Sequence, residues 1–359
     1  MESDEKIKIS YDTLWKFIIR PPRDQYSEEE LGETHFVYHR KSYIRTDYSI
    51  ISSEGHTLKC SFIQPDSDSR PKEEMPVVIY LHGNSSSRLE GIRMANTLIK
   101  RDINLFIFDF AGSGISEGEY ISLGYHEKDD VKTVIDFLER IPGVGKIGLW
   151  GRSMGAATTL LYAYKDKRIK AIVMDSPFAD FSKLAKELCI KQVSHLPGFL
   201  IDAAMSIIRG TVKKKNGLDI YKLKPIECAE KTHIPGLFIH SVDDELINIS
   251  HSIELSEKYG GEKSLNSCHG GHNGRRPNDI IEKVGNFFSK HLNEGSADEV
   301  DEDIIKKKNE IINESDDFSL FNNNNDIGHP QHFENLNDLM NTIKFDDFKS
   351  EDTNFTDKK

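Results

Sequence analysis

The sequence predicts an α/β fold: a mostly parallel central sheet with helices on both faces and a helical cap insertion. Three observations lead there. From about residue 42 to residue 293, short apolar runs rich in β-formers alternate with longer amphipathic stretches, the order that parallel strands joined by crossover helices produce. The runs "MPVVIYLHG" (75–83), "INLFIFDFAG" (103–112), "KIGLWG" (146–151), "IKAIVMDSPF" (169–178) and "IPGLFIHSV" (234–242) are apolar at successive positions, so both faces of these strands are expected to be covered. The rhythm breaks once, where residues 179–233, rich in helix formers, separate two strands that a short connection would serve. An insertion of that size usually shapes a pocket or a lid.

Each element has a local reason. Residues 1–41 are expected to form a helical extension, because "YDTLWKFIIRPPRDQY" has a cap at Ser10, an apolar face of Leu14, Trp15, Ile18 and Ile19, and a stop at Pro21 and Pro22. Tyr43 to Ser52 and Thr57 to Gln64 flank "SEGH" as a hairpin that opens the sheet of the main domain, 42–293. Amphipathic helices are expected at about 88–101, 124–140, 153–165, 251–259 and 277–292, the last with Pro277 at an early position that tolerates a missing N–H. Residues 294–359 differ in kind: ten asparagines and 18 acidic against 7 basic residues make a disordered acidic tail the expectation. Within it, "FENLNDLMNTIKFDDF" (333–348) spaces Leu336, Leu339, Met340 and Ile343 at helical intervals, as an arm for a protein partner would, and as a transient helix with no role also would.

Charge and composition exclude several classes of function. The chain carries a net charge of −12, yet outside the tail 41 acidic residues face 40 basic ones. Nucleic-acid binding needs a basic stripe, and the body offers only Lys213, Lys214 and Lys215, which read as a solvated turn. Cys60, Cys189, Cys228 and Cys268 lack C-x-x-C spacing, so neither a zinc site nor a disulfide framework is expected. No H-E-x-x-H, P-loop or EF-hand pattern supports a metal or nucleotide, and "GSGISEG" (112–118) has Glu117 where a dinucleotide loop requires glycine, so no cofactor is expected. No apolar run reaches 18 residues, and the charged start "MESDEK" has no signal-peptide core behind it. A soluble cytoplasmic protein is the expectation, with peripheral membrane contact through the insertion and the N-terminal helix left open.

The chemistry centres on "GLWGRSMGAAT" (148–158), where Ser153 stands in a G-x-S-x-G pattern between an apolar strand and an alanine-rich helix. A serine hydroxyl is a weak nucleophile at neutral pH and needs a base, normally a histidine held in one tautomer by an acid. Downstream, "IPGLFIHSV" ends in Asp243-Asp244-Glu245, beyond the carboxyl end of a strand, and "KSLNSCHGGHNGRRP" brings His269 and His272 just before the last helix. Neighbouring residues on an extended end face opposite ways, so one aspartate of the two should reach the base. His272 is the expected base, since Gly270 and Gly271 permit a loop that swings its ring over the serine. An oxyanion hole is expected from the backbone N–H of Met154, after the nucleophile, and of Asn84 in the loop "HGN". Arg152, just before the serine, is expected in a structural or pocket-edge role and not in catalysis.

Together, HGN, GRSMG, SVDDELI and GGHN resemble, in order and over about residues 42–293, a serine hydrolase of the α/β-hydrolase fold. In detail, "FIIRPPRDQY", "DFAGSGISEGEYISLGYHEKDD" and "DSPFADF" are similar to an uncharacterised plant and protist group related to monoacylglycerol-lipase-like and depalmitoylase-like enzymes. The resemblance implies Ser153 as nucleophile, Asp244 as acid, His272 as base, and residues 179–233 as the cap that sets substrate choice. The implied activity is cleavage of a small acyl ester or thioester through an acyl-enzyme. A serine peptidase or amidase, and a scaffold protein that uses the acidic tail, are the alternatives.

Overall fold

The structure, a computed structural model, describes residues 15–293 apart from 17 and 193–197. Its strands are β1 (His35–Tyr38), β2 (Lys41–Ile51), β3 (Thr57–Pro65), β4 (Met75–Leu81), β5 (Asn104–Phe108), β6 (Val144–Arg152), β7 (Ile169–Asp175), β8 (Gly236–Ser241) and β9 (Lys263–Cys268). They form one sheet in the order β1-β2-β3-β5-β4-β6-β7-β8-β9. Pairing is antiparallel from β1 through β3 to β5 and parallel from β5 through β4 to β9.

The successive apolar residues of the central strands divide between two layers, as a two-residue period requires. Val77, Ile79, Leu81, Phe106, Phe108 and Leu149 face one core, and Val78, Tyr80, Leu105, Ile107 and Trp150 face the other. The first layer is closed by helices α3 (Glu127–Leu138), α4 (Met154–Ala163), α5 (Phe181–Gln192), α6 (Gly198–Asn216), α7 (Ile226–Ala229) and α8 (Ser250–Lys258). The second is closed by α1 (Leu89–Ile92), α2 (Ala95–Ile99) and α9 (Asn278–Phe288). Trp150 belongs to this second layer, where it packs between Tyr80 and Phe288.

Two features depart from expectation. The sheet opens one strand earlier, at β1, joined to β2 by a two-residue turn in which His39 (φ 46°) and Arg40 (φ 63°) both take left-handed backbone. The expected helix at 88–101 is two short helices, because amides of Gly91, Met94 and Thr97 donate three residues back, to Arg88, Gly91 and Met94, and wind the segment more tightly. The expected insertion is helical: α5, α6, a 3-10 turn at Ile220–Lys222, and α7. In α6, Ile201, Met205, Ile208 and Val212 face inward, while Leu200, Ala203, Ile207, Gly210 and Lys214 recur along an exposed face.

At the N-terminus Trp15 and Ile19 are buried in the first core, as a packed helix requires, although Ser10 and Leu14 lie outside the described residues. The expected tail, 294–359, also lies outside them. All four cysteines are free thiols. No helix among the described residues is long and apolar enough to cross a membrane.

Candidate active site

The site is built where β6 turns into α4. Ser153 holds φ 50° and ψ −113°, left-handed backbone that costs a residue with a side chain about 1–3 kcal/mol and persists only where its surroundings impose it. They do so here. The Ser153 N–H donates to the Asp175 carbonyl at 2.8 Å, and its own carbonyl accepts from Ala157 at 3.0 Å. A methyl group on Gly151 would overlap the carbonyl of Gly155, and one on Gly155 would overlap the carbonyl of Leu81. Both glycines of the motif are therefore demanded by close approach of backbone to backbone.

Ser153, His272 and Asp244 come together in one hydrogen-bonded line. His272 Nε2 lies 2.9 Å from Ser153 Oγ, and His272 Nδ1 lies 2.7 Å from Asp244 Oδ2. A carboxylate only accepts, so the ring proton sits on Nδ1 and leaves Nε2 bare to accept from the serine hydroxyl. Asp244 Oδ1 takes two amides, Leu246 at 2.9 Å and Ile247 at 2.7 Å. Behind it, the buried His240 turns Nε2 toward both Asp244 Oδ2 (3.4 Å) and the Ile247 carbonyl (2.8 Å), and its Nδ1 accepts from Ser252 at 2.7 Å. Burial disfavours the Asp244 charge, but hydrogen bonds from His240, His272 and the Ile247 amide outweigh it and hold the carboxyl well below the usual range.

The neighbouring candidates form a second pair that faces away. Asp243 Oδ2 lies 2.8 Å from His269 Nδ1, and both side chains are in solvent. The opposite facing of adjacent residues on the strand end thus sorts the two aspartates and the two histidines into one buried and one exposed couple.

The loop after β4 runs alongside. A Cβ on Gly83 would sit 3.8 Å from Ser153 Cβ. The buried His82 braces this loop: its Nε2 accepts from the Phe110 amide at 3.2 Å, which leaves Nδ1–H to donate to the Gly83 carbonyl at 2.8 Å. Asn84 follows, and its backbone N–H has no protein acceptor among the described residues. Met154 is the first residue of α4, whose N-terminus favours negative charge nearby.

Sequence reasoning missed three charged residues. Arg276 forks onto Asp175 at the end of β7, with Nε–Oδ2 2.9 Å and Nη2–Oδ1 2.8 Å, and Nη2 also donates to the His272 carbonyl at 3.3 Å. Glu90 lies under the Gly83 loop, in contact with Arg152. The available signal was a charge at the end of an apolar strand, as in Asp175 and Arg152. Among the described residues no cluster of His, Cys, Asp and Glu suits a metal ion.

The chain is similar to known proteins over most of its described residues. Residues 76–204 match the family model described as alpha/beta hydrolase fold. The esterase Pf2001 of Pyrococcus furiosus superposes with a TM-score of 0.57 at 22% identity, covering 77% of this chain and 98% of that one. The chain has the α/β-hydrolase fold. Among curated relatives, it is 28% identical over 264 residues to the uncharacterised protein YqkD of Bacillus subtilis, covering 72% of this chain and 83% of that protein. It is 26% identical over 201 residues to the lysophosphatidylserine lipase ABHD12 of Danio rerio, an alignment spanning 53% of this chain and about half, 49%, of the lipase.

Proposed function

We propose that this α/β-hydrolase is a serine hydrolase that cleaves a carboxylic ester or thioester of a small acyl substrate. The observation that carries the reading is the unbroken line from Ser153 Oγ through His272 to Asp244, at 2.9 and 2.7 Å. Ser153 attacks the acyl carbonyl while His272 Nε2 takes its proton. Asp244 keeps the Nδ1 tautomer and stabilises the imidazolium that forms. The N–H groups of Met154 and Asn84 receive the oxyanion, a contribution worth about 2.7–4 kcal/mol per donor. His272 then returns the proton to the leaving oxygen or sulfur, and water, deprotonated by the same ring, releases the acid.

Names among the neighbours, an esterase and a lipase, favour ester chemistry over amide chemistry. In this reading residues 42–293 are the catalytic unit and 179–233 its cap. The exposed Phe199, Leu200 and Ile207 of α6, with Lys213 and Lys214 farther along the same helix, favour contact of that cap with an anionic lipid surface.

A fluorophosphonate probe is expected to label the protein on Ser153, and Ser153→Ala to abolish both labelling and hydrolysis of p-nitrophenyl esters. Undiminished labelling of the alanine variant would overturn the assignment.

A further inference from the structure

Arg152, the residue before the serine, sends its guanidinium away from the bulk solvent. Its Nη1 donates to Glu90 Oε1 at 2.6 Å, and its Nη2 donates to the His272 carbonyl at 3.1 Å and to Asn273 Oδ1 at 3.2 Å. Glu90, carried on the single turn of α1, spends its other oxygen, Oε2, on the backbone N–H of Gly83 at 3.0 Å, and Oε1 also accepts from the Tyr80 hydroxyl at 2.9 Å. The side chains of the pair are only 18% and 9% exposed. One buried ion pair therefore touches the nucleophile turn, the loop bearing Asn84, and the main chain of His272.

The contact with Gly83 fixes a direction. The peptide before Gly83 is held by Glu90 through its N–H, and the peptide after it is held by His82 Nδ1 through its carbonyl at 2.8 Å. In a trans peptide the N–H points opposite to the carbonyl. The Asn84 N–H is thereby turned to the side away from His82, and both peptides that set it are pinned.

A buried ion pair contributes little net stability, since desolvation offsets its attraction and a neutral pair of similar shape often folds as well. Stability alone thus gives no reason for a charged pair in this place. Burial opposes ionisation of Glu90, yet the Arg152 charge and the Gly83 amide bring its carboxyl down to about 2, so the pair stays charged over any working pH.

We propose that Glu90 and Arg152 are positioning residues that hold the oxyanion-binding loop and the His272 loop in register with Ser153. The inference rests on the serine hydrolase reading above. Neither residue touches the reacting atoms. Their effect falls on the transition state, where a displaced donor or base is felt, and not on ground-state binding of substrate.

The test compares Glu90→Gln, Arg152→Met, the double variant and Arg152→Lys in the full chain, by thermal midpoint and by kcat and KM on a soluble p-nitrophenyl ester. Each single neutral variant strands a buried charge, so midpoint and kcat fall together. In the double variant the midpoint returns to within a few degrees of wild type, while kcat stays about tenfold or more below it and KM changes less than twofold. Arg152→Lys keeps the charge and the fold, but one ammonium cannot span Glu90 and the His272 carbonyl, and kcat falls several-fold at unchanged KM. Recovery of kcat in the double variant, or wild-type kcat in Arg152→Lys, overturns the proposal. Should Ser153→Ala remain active, the serine hydrolase reading fails instead, and the two failures are told apart.

Discussion

At the scale of residues, the site depends on which atom of each side chain carries a proton. Asp244 accepts hydrogen bonds from Leu246, Ile247 and His272, has His240 Nε2 at 3.4 Å, and donates none. An asparagine there would present an NH2 group to His272 Nδ1 or lose its backbone amides, and either outcome favours the wrong tautomer. Asp244→Asn is expected to lower kcat by about 10³–10⁴ with the thermal midpoint nearly kept, as steady-state kinetics and a melting curve would measure. The sequence led to Ser153, Asp244 and His272 because each lies in a short pattern that implies a turn or a strand end. Glu90, Arg276 and His240 were not legible in that way. Glu90 lies 62 residues from Arg152, and Arg276 lies 101 from Asp175, so their pairing exists only in the fold. His240 is silent for another reason: inside an apolar run it reads as one more core position.

At the scale of elements, α3 shows how a helix can carry a titrating group at its base. Asp130 is buried on α3 and receives one amide, from Ala111, at 3.0 Å. Burial is the main influence and exceeds the opposing pull of that amide; with the neighbouring Glu127, Glu54 and Asp129 charges it pushes the carboxyl up to about 8. The folded state therefore keeps a proton that the unfolded chain has lost above pH ~4, and stability falls as pH rises from about 4 to about 8. Asp130→Asn retains the acceptor without the charge. It is expected to raise the thermal midpoint at pH 8, with the gain shrinking toward zero near pH 4, in melting curves taken across that range. The strands themselves were legible, since runs such as "MPVVIYL" are too short and too apolar for a surface helix. β1 was not, because its turn is made by His39 and Arg40, where left-handed backbone is ordinarily advertised by Asn-Gly or Gly. The break between α1 and α2 was hidden too, since neither proline nor a capping residue marks it.

At the scale of the whole molecule, charge and apolar surface are unevenly distributed. The body is close to neutral while residues 294–359 carry 18 acidic against 7 basic residues. Helix α6 is apolar on two sides, one inward through Ile201, Met205, Ile208 and Val212, the other outward through Phe199, Leu200 and Ile207. A helix with two apolar faces has one more than its own core needs. The outward face ends at Lys213 and Lys214, the arrangement that suits anionic headgroups. The protein is expected to sediment with vesicles containing phosphatidylserine and less so with phosphatidylcholine alone. Phe199→Asp with Ile207→Asp should release it without changing turnover of a soluble ester. Equal sedimentation of the variant would remove the lipid surface from the account.

Arg152 and Arg276 both donate to the same atom, the carbonyl oxygen of His272, at 3.1 and 3.3 Å. Two cations gripping the main chain leave the imidazole itself tethered only by Asp244 and Ser153. On the proposed serine-hydrolase reading, the ring is a vane on a fixed mast: it tilts from the serine oxygen toward the departing group while two arginines hold the main chain that bears it.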